Sequence, residues 1–312
     1  MDNSLNVKLN ELREKFRVNV IKKHAENISL KYRNNDGSGK SLVNTKNEAV
    51  AYALSRMPAT MAANDFVLND FINLTGYAPK SVIDIGAGTG ASSIIISELF
   101  PDTKLTLVER EENMLNIAKE FVQKAEFIKQ DITNPLFDIS KTYDLVITSY
   151  VLNELSENGR EIALNNLSAI SSDYLIIIDA GMPKNYNQMM DLREKLLSSG
   201  FNLVAPCPHE GKCPLIGTDD WCHFTARVNR TKLHKELKSG SLNYEDEKFT
   251  YLIFKKFNGT MNEYKRVIRH PKYRPKVVEL KLCTKDGIKN LVITKSNKLY
   301  KDARDLKCGD RL

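Results

Sequence analysis

Five cysteines stand at positions 207, 213, 222, 283 and 308, and the first three fall within 16 residues. Their segment reads C-P-H-E-G-K-C-P-L-I-G-T-D-D-W-C-H-F, with Pro206, Pro208 and Pro214 beside the cysteines. Proline fixes φ and removes a donor, so this is a rigid loop rather than a regular element. Clustered cysteines in a chain without a secretory pattern point to a metal site before disulfides. Five and then eight residues intervene between the cysteines, whereas paired zinc-finger cysteines stand about two to four apart. Four thiolates suit tetrahedral zinc or an iron–sulfur cluster. The fourth ligand must come from Cys283, Cys308, His209 or His223. Cys283 is favoured, because it ends an alternating run just before Asp286-Gly287, a β-hairpin signal, and a strand end holds a ligand firmly.

A second set of residues could hold a nucleoside. Residues 81–90 read S-V-I-D-I-G-A-G-T-G, followed by a small, apolar run at helical spacing over 91–100. Strand, glycine turn and helix form the ligand-binding unit of a doubly wound sheet. Gly86, Gly88 and Gly90 let a backbone approach a ligand, and the helix N-terminus favours a carboxylate. The spacing is G-x-G-x-G, not the dinucleotide G-x-G-x-x-G, and no Lys-Ser/Thr follows as in a P-loop. With Asp84 just before the turn, a ligand with an amino group and a carboxylate fits, which describes S-adenosylmethionine. Glu109 ends a second strand at 105–109, where an acid commonly holds a ribose diol. Asp131 ends a short strand at 126–131 and could reach the adenine amine. Ser149 closes a strand at 143–149. These positions meet outside the carboxyl ends of strands, where such sheets bind ligands.

The elements that position them follow from the pattern. Residues 1–75 are helical: 5–25 carry an apolar stripe (Leu5, Leu9, Leu12, Phe16, Val20), 34–40 are a loop, and 47–74 form a helical stretch interrupted at Pro58. This region caps the crevice, with Arg56 able to reach a phosphate or carboxylate. Helices are expected at 112–124, 159–171 and 186–199, and strands at 174–180, 201–205 and 249–255. Near-continuous apolar strands imply burial on both faces. The last two strands would pair at the sheet edge across 43 intervening residues that hold most of the cysteines. The expected organisation is 1–78 helical, 79–205 sheet domain, 206–245 metal-binding insertion, and 246–312 last strand with a basic β-hairpin.

The 312 residues, 42% of them hydrophobic, support a sizeable core. No apolar run reaches the ~18 residues of a membrane span. The N-terminus lacks a secretory pattern, so a cytoplasmic location and no membrane partner are expected. Residues 224–312 hold 23 Lys+Arg against 10 Asp+Glu, a net +13, while the preceding residues carry −6. A basic C-terminal third points to a polyanion, and interleaved Tyr244, Phe249, Tyr251, Phe254, Phe257, Tyr264 and Tyr273 point to RNA.

Six stretches carry a wider likeness: R-M-P-A-T-M (56–61), D-I-G-A-G-T-G (84–90), C-P-H-E-G-K-C-P-L (207–215), W-C-H-F (221–224), Y-E-D-E-K-F-T-Y-L (244–252) and L-C-T-K-D-G (282–287). On these the chain resembles the methyltransferase-like proteins of the small ribosomal subunit in mitochondria and bacteria. The resemblance implies a class I, Rossmann-like S-adenosylmethionine-dependent methyltransferase fold (α/β), with an N-terminal helical region, a cysteine-rich insertion and a small C-terminal β extension. It further implies a 4Fe-4S cluster on Cys207, Cys213, Cys222 and Cys283, without Cys308, and association with small-subunit rRNA during assembly of the pre-ribosomal subunit; a monomer is the default expectation. Zinc is the alternative metal. Base-amine methylation commonly uses an Asn/Asp-Pro-Pro-aromatic run after the fourth strand. Here that place reads S-Y-V-L-N-E-L, leaving Asn153, Glu154 and Tyr150 as candidate catalytic groups, and no nucleophilic cysteine for carbon methylation. Two roles follow: an assembly factor that keeps its cofactors as structural parts, or an active rRNA (cytidine) methyltransferase.

Overall fold

The computed structural model describes residues 3–33, 40–134, 140–238, 242–257 and 263–312. The expected loop at 34–40 lies outside them except for Lys40. The chain divides into two compact units, residues 1–178 with 226–247, and residues 179–225 with 248–312. Among the described residues, no helix is long and apolar enough to cross a membrane.

In the first unit, the N-terminal stripe breaks into α1 (Asn3–Glu14) and α2 (Val18–Arg33). The break resets the helical phase, so Ile21, Ala25 and Ile28 are buried while Val20 is exposed. Helix α3 (Lys46–Ser55) opens with a capping box: Thr45 accepts from the Glu48 N–H, and Glu48 accepts from the Thr45 N–H. Helix α4 (Met57–Thr75) restarts after Arg56, with Pro58 in its first turn, where a missing N–H leaves no bond unmade.

The sheet begins at β1 (Ser81–Ile85) and continues through β2 (Lys104–Glu109), β3 (Ala125–Lys129), β4 (Tyr143–Ser149) and β5 (Ser171–Ala180). All four pairings among these strands are parallel, in the order β3-β2-β1-β4-β5. Helices α5 (Ala91–Leu99), α6 (Glu112–Phe121) and α7 (Glu157–Ile170) make crossovers. Val82 and Ile85 of β1, Leu145–Ile147 of β4 and Leu175–Ile178 of β5 are all buried, as strands covered on both faces must be. The order reverses between β1 and β4, so the crevice at their carboxyl ends is the switch point where such sheets bind ligands.

The remaining elements are α8 (Pro183–Ser198), β6 (Phe201–Ala205), β7 (Phe224–Asn229), α9 (Lys232–Lys238), β8 (Tyr244–Lys256), β9 (Arg266–Val267), β10 (Lys272–Arg274), β11 (Val277–Thr284), β12 (Gly287–Thr294) and α10 (Tyr300–Ala303). The full sheet order is β3-β2-β1-β4-β5-β8-β6, with β7 on β8 and β6 antiparallel to β8. A parallel sheet ending in an antiparallel strand pair is the class I methyltransferase topology. A second sheet, β10-β11-β12 with β9 on β11, packs over Val267, Val278, Leu280, Leu282 and Ile293.

The insertion departs from expectation. Residues 207–223 are irregular, but 224–238 form β7 and α9, and β8 starts at Tyr244 rather than 249. The polar Tyr244–Lys248 stretch becomes strand because β7 pairs with β8 and arginines meet its acids: Arg230 holds Glu245 at 2.8 Å and Arg56 holds Glu247 at 3.2 Å.

Candidate functional site

The glycine turn follows β1 in a conformation that needs glycine. Gly86, Gly88 and Gly90 have φ of 71°, 56° and 90°. A Cβ on Gly86 would lie 2.2 Å from Val151 Cγ2, so the turn packs against the segment after β4. Gly90 caps α5 and faces α6, where a Cβ would meet Ala118 Cβ at 3.3 Å. A pocket opens here, lined by Gly86, Gly88, Glu109, Asp131, Ser149, Tyr150 and Glu154.

Each acid has a distinct setting. Glu109 Oε2 accepts from the Gly88 N–H at 2.9 Å and Oε1 from the Glu111 N–H at 2.8 Å. Burial nonetheless pushes its carboxyl above the ordinary value. Asp131 Oδ1 accepts from the Thr133 N–H and hydroxyl at 2.8 and 2.7 Å, leaving Oδ2 3.9 Å from Arg110 Nη1. Ser149 Oγ accepts from Asn64 Nδ2 at 3.0 Å. Tyr150 holds a left-handed φ of 61° while its N–H bonds to the Ile178 carbonyl at 2.8 Å. A tyrosine in that region is strained, and such residues concentrate at functional sites.

Four expected residues do not line the pocket. Asp84 sits beneath the turn, fully buried, accepting from Ser93 Oγ at 2.7 Å. Its Oδ1 has no partner, and burial, with Glu109 adding repulsion, raises its carboxyl to about 7. Gly90 serves helix packing, and Asn153 turns inward with a buried, unpartnered Oδ1. Arg56 neutralises Glu247 instead of lining the pocket. Sequence reasoning missed Tyr32 and Tyr52, which line the pocket from α2 and α3 and pack 5.8 Å apart. Burial raises both phenols, Tyr52 to about 12. Only the expectation of a helical cap foreshadowed them.

In the second unit, Cys207, Cys213, Cys222 and Cys283 line one small cavity. Cys283, on β11, pairs with Arg266 of β9 and Ile288 of β12, which fixes its backbone from both sides. Tyr186 of α8 donates its hydroxyl to Cys213 Sγ at 3.1 Å. Burial pushes the Cys207 thiol up to about 11, and burial plus the neighbouring thiols raise Cys222 and Cys283 further above the ordinary range. Bare, these groups stay protonated at neutral pH; a bound cation would reverse that. Of the other candidates, His209 Nε2 touches Cys283 Sγ at 3.8 Å, the His223 ring turns to the Trp221 carbonyl, and Cys308 Sγ is 4.0 Å from the His223 carbonyl. Among the described residues, no group of three or more His, Cys, Asp or Glu side chains is spaced to hold a single metal ion.

The sequence model of the family described as "Mitochondrial small ribosomal subunit Rsm22" matches residues 46–312. The chain belongs to this family. The match spans the glycine turn and all five cysteines and bears out the resemblance read from the sequence blocks. Ribosomal RNA small subunit methyltransferase G of Mycoplasma capricolum is 30% identical over 131 residues, covering 40% of this chain and 53% of that protein. The Saccharomyces cerevisiae protein named "Ribosome assembly protein RSM22, mitochondrial" is 26% identical over 183 residues, covering 36% of this chain and 29% of its own. The chain thus spans about half, or less, of the length of these curated relatives. Magnesium protoporphyrin IX methyltransferase of Synechocystis, solved with bound SAH, is 15% identical with a TM-score of 0.42, covering 72% of this chain and 92% of that one. That likeness is too loose to add to the strand order.

Proposed function

We propose that this Rsm22-family protein binds S-adenosylmethionine at the β1–β4 switch point, carries a 4Fe-4S cluster on Cys207, Cys213, Cys222 and Cys283, and acts on small-subunit rRNA as an assembly factor. The observation that carries the reading is the convergence of Gly86, Gly88, Glu109, Asp131 and Ser149 on one pocket. The start of α5 suits the ligand's carboxylate, Glu109 its ribose and Asp131 its adenine amine. The buried, unpartnered Oδ1 of Asp84 beneath the turn fits an ammonium above it.

The donor set of the cysteine cavity fits the cluster. Four cysteines around one space, three buried and Cys222 half-buried, are the usual ligand set of a 4Fe-4S cluster. Zinc, which also takes four thiolates, is the alternative occupant. Bound, the group would tie the 207–223 loop to β11. RNA binding is supported by exposed Lys272, Lys276, Lys295, Lys298 and Lys301, with Tyr273 56% exposed. Phe249, Tyr251 and Phe254 are fully buried core residues instead of stacking platforms.

Methyl transfer to rRNA is the second reading, favoured by Tyr150 and Glu154 on the pocket wall. Tyr150 could stack on a base and Glu154 accept from an exocyclic amine. The deciding experiment is anaerobic purification with iron, sulfide and zinc assays, calorimetric titration with S-adenosylmethionine, and a methyl-transfer assay on small-subunit rRNA. Cofactor and RNA binding with a cluster but no transfer supports the assembly factor. Transfer lost in Glu154→Gln supports the enzyme. Absence of cofactor binding sinks both.

A further inference from the structure

Residues 56–61, the R-M-P-A-T-M stretch, open α4 but do not line the pocket. Arg56, Thr60 and Asn64 follow one another at four-residue steps, on one face of the helix. Asn64 is fully buried there. Its Nδ2 donates to the Thr60 carbonyl at 2.9 Å and to Ser149 Oγ at 3.0 Å. A carbonyl can only accept, so the atom that faces it is the amide nitrogen. Both hydrogens of that nitrogen are then spent, one on Thr60 and one on Ser149. The amide oxygen, Oδ1, is buried without a partner. An orphaned acceptor costs free energy, whereas an apolar side chain of the same shape would fill the space without that cost. Asn64 is therefore held in place for its nitrogen.

The consequence falls on Ser149. A hydroxyl has one hydrogen to donate. With Asn64 donating to its oxygen, Ser149 cannot turn that hydrogen toward Asn64, and among the described residues no acceptor takes it. Ser149 pairs with Ile178 of β5, and the next N–H, of Tyr150, bonds to the Ile178 carbonyl, so the backbone here is fixed and only the hydroxyl's direction is left to decide. Ser149 closes β4 and lines the pocket. β4 runs parallel to β1 with Thr148 opposite Ile85, and Val151 packs against Gly86. Ser149 thus stands beside the glycine turn that leads into α5, the end of the pocket that suits a carboxylate. We infer that Asn64 is a positioning residue, which fixes Ser149 as a hydrogen-bond donor to the carboxylate of the bound cofactor. The inference rests on the S-adenosylmethionine reading above. A hydroxyl already aimed at an anionic oxygen makes a charge-assisted bond without first giving up a protein partner.

The test is calorimetric titration of the full chain with two ligands, S-adenosylmethionine and decarboxylated S-adenosylmethionine, which keeps the ammonium, the sulfonium and the adenosine. Ser149→Ala weakens S-adenosylmethionine by about tenfold and leaves the decarboxylated ligand within about twofold. Asn64→Leu shows the same selectivity with a smaller loss, because the hydroxyl survives but turns freely. In the Ser149→Ala background Asn64→Leu adds nothing, since the group it orients is gone. Because Asn64→Leu can fail to fold, Asn64→Ala, which suits a helix interior, repeats both comparisons. A merely structural Asn64 lowers affinity for both ligands and in both backgrounds, and that result overturns the inference. So does a Ser149→Ala chain that loses the two ligands equally, or neither. A wild-type chain that binds neither ligand defeats the underlying reading and the inference with it, whereas wild-type binding with an unselective Ser149→Ala defeats the inference alone.

Discussion

The pocket after β1 and the cysteine cavity differ in what holds them together. Around the pocket the polar groups largely satisfy one another: Glu109 takes the Gly88 and Glu111 amides, Asp131 takes Thr133, and Ser149 takes Asn64. Its walls are strand ends fixed by parallel pairing. In the cavity, four thiols are held mostly by an irregular loop. The first site is complete as protein. The second would gain a tie between loop and strand from its occupant, so occupancy should matter to structure only there.

The largest effect that tests this difference is Cys213→Ser. It should abolish iron binding, expose the 207–223 loop to proteolysis and weaken RNA binding, while S-adenosylmethionine affinity stays within about twofold. The β7–α9 segment belongs with the first unit and should stay protected, since Arg230–Glu245 and Arg56–Glu247 hold it there. Undiminished RNA affinity in the iron-free variant would end the idea that the cluster supports the RNA surface.

Gly86→Ala is the converse. A Cβ 2.2 Å from Val151 Cγ2, on a backbone at φ 71°, forces the turn away from β4. Strain of this kind costs about 1–3 kcal/mol. Cofactor binding should fall at least tenfold by calorimetry with iron content unchanged. Loss of iron as well would mean that the two sites are not independent.

Legibility followed the same division. Strand, glycine turn and helix were readable because their signals are local: apolar runs, glycines and end-of-strand acids fall within a few residues. The sheet crossovers followed from alternation of strand and helix signals. Asp84 reads as a residue beside the ligand, and a motif read as a string does not reveal that its carboxyl is buried beneath the turn against Ser93. Gly90 was misread because its neighbour is α6, a tertiary contact. Tyr32 and Tyr52 lie on helices far from the sheet in sequence. The polar start of β8 did not resemble a strand, since its acids find Arg230, Arg56 and Arg227 only in the fold. Cys283 was legible as a strand-end residue, but Arg193 and Arg266 looked like surface charges, and both are buried.

Asp84 sharpens the comparison through pH. Its folded carboxyl titrates near 7, against about 3.9 in the unfolded chain. The folded state therefore holds a proton that the unfolded state has released, and stability falls as pH rises from about 4 to 7. The ionised form costs on the order of a few kcal/mol. Asp84→Asn should remove that slope in denaturant-unfolding free energies measured across the window. Saturating S-adenosylmethionine should flatten it in wild type, if its ammonium offsets the charge. An identical slope in the variant would assign the pH dependence to other groups.

Cys308→Ser should have the smallest effect and so tests how far the cavity reaches. Cys308 does not line the cavity, and its Sγ makes only a long contact of 4.0 Å to the His223 carbonyl. Yet it lies close enough to Cys222 for charge on one to oppose charge on the other. Serine preserves volume and loses only a weak S–H contact, so unfolding should shift by less than about 1 kcal/mol. Iron and sulfide per chain should match wild type, because a centre with four cysteines has no coordination site for a fifth. A fall in iron with Cys308→Ser, and none with Cys283→Ser, would move the fourth ligand from β11 to the C-terminal segment. The strand-end argument for Cys283 would fail, and the occupant would tie the 207–223 loop to residues near 308 instead.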